Sequence, residues 1–374
     1  MISRNSIGGA FPLTRLGEAV EFLDSKRRPV TESERRTGPY PYFGANGQQG
    51  TIDEYIFDEP LVLLAEDGGH FGEPDREIAY RISGKTWVNN HAHVLRPNPG
   101  TDLAFLCRVL ENYDVTPFVT GTTRGKLTQA GASEIVIPLP PLEEQRRIAE
   151  VLDRAEALRA KRRAALAQLD SLTQALFLDL FGDPAKNPKG WQCKRLKELG
   201  KVTTGGTPPS AKEGMFNGPI PFITPADLES GQPVKRSLTE AGAEESVTVR
   251  AGTTLVCCIG ATIGKTGKAT MRSAFNQQIN TVEWGTEVHD SYGFAVIRFF
   301  KPTIVAWGAS TTLPILKKSS FEKIEVPLPP LQLQAEFGRR LQVLETIRAA
   351  HRESLAGMDA LFAALQHRAF RGEL

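Results

Sequence analysis

The stretch "IPLPPLEEQRRIAEVLD", residues 137–153, returns 189 residues later as "VPLPPLQLQAEFGRRLQ", beginning at Val326. A chain that writes a proline-rich lead-in and the helix behind it twice is constrained to fold as two related halves. Carried forward by 189 residues, one apolar stripe lands on another. Ile148, Leu152, Ala155, Leu158, Leu166, Leu169, Leu172, Leu176 and Leu180 fall on Phe337, Leu341, Leu344, Ile347, Leu355, Met358, Leu361, Leu365 and Ala369. The steps are mostly three and four, so each set lies on one side of a helix.

A stripe held over about 40 residues exceeds an ordinary globular helix and predicts a coiled-coil seam. At about 1.5 Å per residue, each helix would reach about 60 Å. Pro140, Pro141, Pro329 and Pro330 open the helices, where a missing amide costs little. The segments "FGDP" at 181–184 and "FRGEL" at 370–374 supply glycine stops. Either each helix packs on its own neighbouring domain, or the two stripes pack on each other as an antiparallel pair. The seam is then Ile148, Leu152, Leu166, Leu169 and Leu176 against Phe337, Leu341, Leu355, Met358 and Leu365. Arg162 and His351 interrupt the stripe at equivalent places, where a charge fixes register or marks an opening to solvent.

The blocks between the helices echo each other more faintly. "GPYPYF" at 38–43 resembles "GPIPFI" at 218–223, "VNNHAHVL" at 88–95 resembles "FNQQINTV" at 275–282, and "GTTRGKL" at 121–127 meets "STTLPIL" at 310–316. Both blocks are rich in glycine, proline, threonine and short β-type runs such as "LVLLAE" and "TTLVCCIG". Each reads as a compact domain of mixed, largely β structure, and the whole chain as α+β. The expected order is a first domain over 1–136, a long helix over 137–183, a second domain over 184–325 and a second helix over 326–374.

The net charge of +2 hides an asymmetry. Residues 11–136 carry 13 basic and 18 acidic side chains, a net of −5, whereas 184–325 carry 18 and 12, a net of +6. Overall charge therefore neither demands nor excludes a nucleic-acid partner. No apolar run reaches the roughly 18 residues of a membrane span, and "MISRNSIGGAFPLTRLGE" has no apolar signal core. Cys107, Cys193, Cys257 and Cys258 have neither zinc spacing nor a disulfide pattern, which suits a reducing, cytoplasmic setting.

Block, long helix, block, long helix resembles the specificity subunit of Type I restriction–modification systems over nearly the whole chain. The residues that carry the resemblance are the two "PLPPL…Q" segments with Gln145 and Gln334, the stripes, "LFLDLFGDP" and the terminal "FRGEL". The paired "NNHAH" and "NQQIN" segments agree with it. The resemblance implies two target-recognition domains separated by two long helices that form an antiparallel coiled coil. Each domain would read half of a split site on double-stranded DNA. The helices would set the spacing and dock two adenine-methylating subunits and, through them, restriction/translocase subunits. S-adenosylmethionine, ATP and Mg2+ are expected on those partners and none on this chain. A specificity subunit of a Type II-like system, or a scaffold that does not read sequence, is the alternative; neighbouring genes or co-purified subunits separate the first from a Type I complex, and DNA binding indifferent to sequence would mark the second.

Base edges dictate the candidates for DNA contact: Arg reads guanine, Asn and Gln read adenine, and Thr meets thymine methyl or phosphate. In the first domain these are Tyr42, Asn46, Gln48 and Gln49, then Asn89, Asn90 and His91, then Thr122, Thr123, Arg124 and Lys126. In the second they are Thr224, Lys265 and Lys268, then Asn276, Gln277 and Gln278, then Thr311, Thr312, Lys317 and Lys318.

The chain lacks the text of a catalyst. "NPKGW" at 187–191 is not the Asn-Pro-Pro-aromatic segment of an adenine methyltransferase. "GATIGKT" at 260–266 imitates a phosphate-binding loop but is one residue short, and reads better as a β-turn beside a buried strand. His91 and His93 would share one face of a strand, without a third metal ligand nearby in sequence, and are expected to face DNA rather than a metal. No acid–base pair stands out, so a non-catalytic chain is expected.

Overall fold

The computed structural model describes residues 9–73, 76–121, 124–209, 212–309 and 314–374. The chain divides into two compact units, one made of residues 1–164 with 353–374 and the other of 165–352. Each unit holds two four-stranded sheets, a two-stranded ladder at the base of a long helix, and short helices, and the first unit adds a small ladder of Val119–Thr120 with Lys126–Leu127.

In the first unit one sheet runs in the order Val20–Phe22, Ala92–Pro97, Leu61–Ala65, Ala79–Ile82, with every pair antiparallel. The other runs Gly47–Ile52, Tyr40–Gly44, Lys85–Val88, Phe57–Asp58, and Tyr40–Gly44 lies parallel to Lys85–Val88. The second unit repeats both. Gly200–Thr204, Ile279–Trp284, Thr254–Cys257 and Thr266–Lys268 form the antiparallel sheet. Ser237–Leu238, Phe216–Ile223, Ser273–Phe275 and Thr248–Val249 form the mixed one, with Phe216–Ile223 parallel to Ser273–Phe275. The faint sequence echo is therefore a duplication of both four-stranded sheets. Two central strands, "LVLLA" at 61–65 and "TLVC" at 254–257, are wholly buried, as their continuous runs of apolar and small residues allow.

The long helices span Leu142–Phe181 and Leu331–Ala369 and pack together. Their direction follows from contacts inside each unit. In the first, Arg159 Nε donates to Asp359 at 2.7 Å. In the second, Arg348 pairs with Asp170 at 3.0 Å, and Phe177 meets Phe337 edge-on at 5.6 Å. Partner numbers fall as the first helix advances, so the pairing is antiparallel. Gly182, at φ +77, ends the first helix in the left-handed conformation that glycine adopts without strain, and Lys189 donates to the carbonyls of Asp179 and Leu180.

The seam is more divided than a simple stripe. Ile148 and Leu152 are fully buried in the first unit's core beside Phe362, and Phe337 in the second unit's core beside Phe177. Leu176, Leu341 and Leu365 border those cores, whereas Leu166, Leu169, Leu355 and Met358 are half-buried along the helices. Both ways of packing are thus used, domain against helix at the ends and helix against helix along the length. Four stripe positions depart from expectation: Leu158, Leu172, Ile347 and Leu361 are 55%, 50%, 41% and 57% exposed. The physical reason is the neighbouring arginines. Arg159 turns inward to reach Asp359 and stack on Phe362 at 4.3 Å, and Arg348, 6% exposed, turns in to Asp170 and Thr173. Arg159 and Arg348 are equivalent under the 189-residue repeat, so the same displacement occurs once in each unit. Among the described residues no helix is long and apolar enough to cross a membrane.

Candidate nucleic-acid interface

Both units end their mixed sheet in one polar turn. In the first, the strand Lys85–Val88 delivers Asn89, whose amide donates to the Phe43 carbonyl at 3.0 Å. Its Oδ1 accepts from the His91 amide at 2.8 Å and its Nδ2 donates to Gln49 Oε1 at 3.1 Å. In the second, the Asn276 amide donates to Ile223 at 3.1 Å, its Oδ1 accepts from the Gln278 amide at 3.2 Å, and its Nδ2 donates to Gln278 Oε1 at 3.1 Å. An asparagine that bonds the backbone two residues on fixes a turn and pushes the intervening side chain outward. Asn90 and Gln277 are those outward, exposed side chains.

Beside each turn lies a second matching contact. Leu127 N donates to Glu66 O at 2.7 Å, and Leu316 N donates to Cys258 O at 2.8 Å. Isolated antiparallel bridges join Asp67 to Lys126 and Ile259 to Ile315. In the first unit this gathers four sequence-distant segments. Asn46 Nδ2 donates to Gly68 O at 2.9 Å, His91 and Arg124 share Asp67 Oδ1, and Lys126 pairs with Glu66 at 3.0 Å. Asn46, Gln48, Gln49, Asn90, Arg124 and Lys126 are all exposed on this edge.

A charged layer supports it. His93, wholly buried, bonds Asp24 through Nδ1 at 2.6 Å and the Leu127 carbonyl through Nε2 at 2.8 Å. Arg27 reaches Glu66 at 2.6 Å and Asp24 at 3.3 Å. Burial alone would push the Glu66 carboxyl up, but hydrogen bonds from Arg27 and Lys126 hold it below the ordinary carboxylate value. Asp24, Glu66 and His93 bring three potential metal-ligand atoms together, yet both His93 nitrogens are already engaged and Arg27 bridges both carboxylates. The trio fits an ion-pair network better than a metal centre. The second unit has Thr204, Cys258 and Asn280 at these positions, with Thr204 Oγ1 donating to Asn280 Oδ1 at 2.6 Å, and burial pushes the Cys258 thiol up to about 12.

Several expectations are corrected here. Tyr42 is a core residue, 2% exposed, whose hydroxyl is bonded to both the amide and the carbonyl of Val30. Asn89 is buried and holds its turn rather than presenting itself. His91 and His93 do not share a strand face, because the strand begins at Ala92; His91 sits half-exposed in the turn. Thr224 is tied to Asp227 through both its amide and its hydroxyl. Lys268 pairs in register with Thr254, three residues down the strand from the turn at Cys257, and so stands apart from the edge. Lys265 is half-buried, and Lys317 and Lys318 follow the Leu316 contact on the surface, Lys318 paired with Glu322 at 3.5 Å. Thr122, Thr123, Thr311 and Thr312 lie outside the described residues.

"GATIGKT" forms a turn between the antiparallel strands Thr254–Cys257 and Thr266–Lys268, as expected. Asp67 was not among the candidates, since a carboxylate reads in sequence as a repellent of phosphate.

The sequence model of the family described as the Type I restriction modification DNA specificity domain matches residues 12–168 and again 188–356. The chain is similar to a protein of Haemophilus influenzae named as a type I restriction enzyme specificity subunit, 29% identical over 368 residues, covering 91% of this chain and 89% of that one. Its fold is similar to the S subunit of a Type I restriction–modification system from M. genitalium, with 15% identity, 96% of each chain covered and a TM-score of 0.66. It is also similar to a chain solved in a study of complex assembly and conformational transition of the type I R-M system, with 19% identity, 98% and 100% coverage and a TM-score of 0.55.

Proposed function

We propose, from the premise that the chain belongs to the Type I restriction–modification DNA specificity family, that it is the subunit that reads the DNA target. The observation that carries this reading is the duplicated edge, in which the same asparagine-held turn presents Asn90 in one unit and Gln277 in the other. Amides of this kind can bond adenine through N6 and N7, and the exposed Lys317 in the second unit supplies charge for phosphates. Each unit then reads one half of a bipartite site on double-stranded DNA, and the helices set the spacing between the halves.

The exposed apolar side chains on the helices support a docking role. The Arg159–Asp359 pair brings Leu158 and Leu361 to one level in the first unit, and Arg348–Asp170 does the same for Leu172 and Ile347 in the second. One such patch per unit suits two adenine methyltransferase subunits, with restriction/translocase subunits held through them. The chain itself is non-catalytic on this reading and works in the cytoplasm. S-adenosylmethionine, ATP and Mg2+ belong to the partners.

The test is to map methylated adenines in a host carrying the whole system, with and without this chain. A two-part motif with an unspecified spacer should disappear when the chain is removed. An unchanged motif would overturn the reading.

A further inference from the structure

Resting on the reading above, we infer that Arg124 reads a guanine in the half-site of the first unit and that Asp67 is its positioning residue. The Arg124 guanidinium donates to Asp67 Oδ1 through Nη2 at 3.0 Å, and its other nitrogens have no partner among the described residues. The side chain of Arg124 is 63% exposed and that of Asp67 18%, so the anchor is shielded while the fork faces outward. The backbone bond from Leu127 to Glu66 and the antiparallel Asp67–Lys126 bridge set residue 125 opposite Gly68, and the Arg124 side chain lies beside that glycine. Gly68 has φ +63, and a Cβ there would stand 3.0 Å from Arg124 Nη2, so glycine leaves room for the guanidinium.

The carboxylate decides between a base and a phosphate. An arginine contacts phosphate best with its full positive charge, and Asp67 beside Arg124 offsets that charge. A base contact needs two N–H groups aimed in one plane at guanine O6 and N7, and a carboxylate that holds one terminal nitrogen restricts the guanidinium to such an aim. His91 on the same Oδ1 holds Asp67 in turn. An arginine oriented before DNA arrives also loses less side-chain freedom on binding. The repeat does not carry this pair into the second unit: Ile259 takes the place of Asp67 in the matching bridge, and Arg124 falls on Leu313 in the sequence. The contact made by this pair is therefore assigned to the first unit's half-site.

Three variants, Arg124→Ala, Arg124→Lys and Asp67→Asn, are introduced into the intact system, and methylated adenines are mapped beside wild type. Arg124→Ala should lose roughly five- to 150-fold of discrimination for guanine at one position, leaving the other half-site and the spacer unchanged. Arg124→Lys should relax the same position, since an ammonium keeps charge but not the fork. Asp67→Asn should relax it less. A uniform fall in methylation with the motif intact, restored by Arg124→Lys, would make Arg124 a phosphate contact and overturn the inference. A motif and level identical to wild type in Arg124→Ala would overturn it as well. Loss of the DNA-reading proposal looks different, because the wild-type motif would then not depend on this chain at all.

Discussion

Gln145 and Gln334, the last letters of the two "PLPPL…Q" segments, make the same clamp, and replacing Gln145 by Met should break one copy of it. Gln145 is wholly buried in the first turns of its helix. Its Oε1 accepts from the Asp102 amide at 2.7 Å, and its Nε2 donates to the carbonyls of Gly100 at 2.8 Å and Pro140 at 2.7 Å. Gln334 likewise accepts from the His289 amide at 2.8 Å and donates to Glu287 at 3.1 Å and Pro329 at 2.8 Å. Asp102 and His289 are the N-caps of the helices Leu103–Leu110 and Asp290–Phe299, so each clamp fixes a domain helix to a long helix. Methionine keeps the volume but takes this partner from the buried Pro140 carbonyl, from the half-buried Asp102 amide and from the carbonyl of exposed Gly100. At about 1–3 kcal/mol for a buried unsatisfied group, and less where water can take the lost bond, the loss should be roughly 2–4 kcal/mol. That is a large share of the roughly 5–15 kcal/mol that holds a typical domain. Hydrogen exchange read by mass spectrometry on the full chain resolves the two units. Gln145→Met should accelerate exchange across residues 100–110 and 142–152 and leave 287–299 near wild type, while Gln334→Met should do the reverse. Protection unchanged in both variants would refute the reasoning, because the clamp would then contribute nothing to stability.

Other outcomes follow from the same geometry. Leu152→Ala, wholly buried, should cost about 2–5 kcal/mol, whereas Leu158→Asp and Leu172→Asp should leave the melting temperature near wild type and weaken co-purification with the methyltransferase subunits. Burial pushes the Glu111 carboxyl up to about 7 although Arg108 lies beside it at 2.9 Å. Its folded value lies above its unfolded one, so its stabilising contribution is full at acid pH and is lost as pH rises through 7. Between pH 6 and 8 wild type should lose about 1 kcal/mol relative to Glu111→Gln, read from denaturant midpoints at both pH values. Alkylation of native chain should modify exposed Cys193 first and leave Cys107 and Cys258 unreacted, because burial holds both of those thiols near 12.

The duplication, the helices and their glycine stops were legible because they rest on periodicity and on residues with special backbone behaviour. The side on which a helical residue finally faces was less so. Leu158 belongs to the stripe by spacing, yet Arg159 takes the inward place because a carboxylate, Asp359, waits at its level on the other helix. That level is set by pairing across about 200 positions of sequence, which periodicity does not encode. At the candidate interface, the glycine-rich "GANGQQG" and the exposed Asn90 and Gln277 were visible as polar text between β-type runs. Tyr42 and Asn89 look the same in sequence but are buried, one as a core ring and the other as the peg of a turn. His93 alternates with His91, but a strand that starts one residue later sends one into the core and leaves the other in the turn. Asp67 acquires meaning only through its contact with Arg124, 57 residues away.

The central claim is that each unit reads its own half of the target. Replacing residues 11–136 with the matching block of another specificity subunit of different target, followed by mapping of methylated adenines, tests it most directly. The account predicts that one half of the motif takes the donor's sequence while the other half stays as it was. A motif changed in both halves, or in neither, would contradict it.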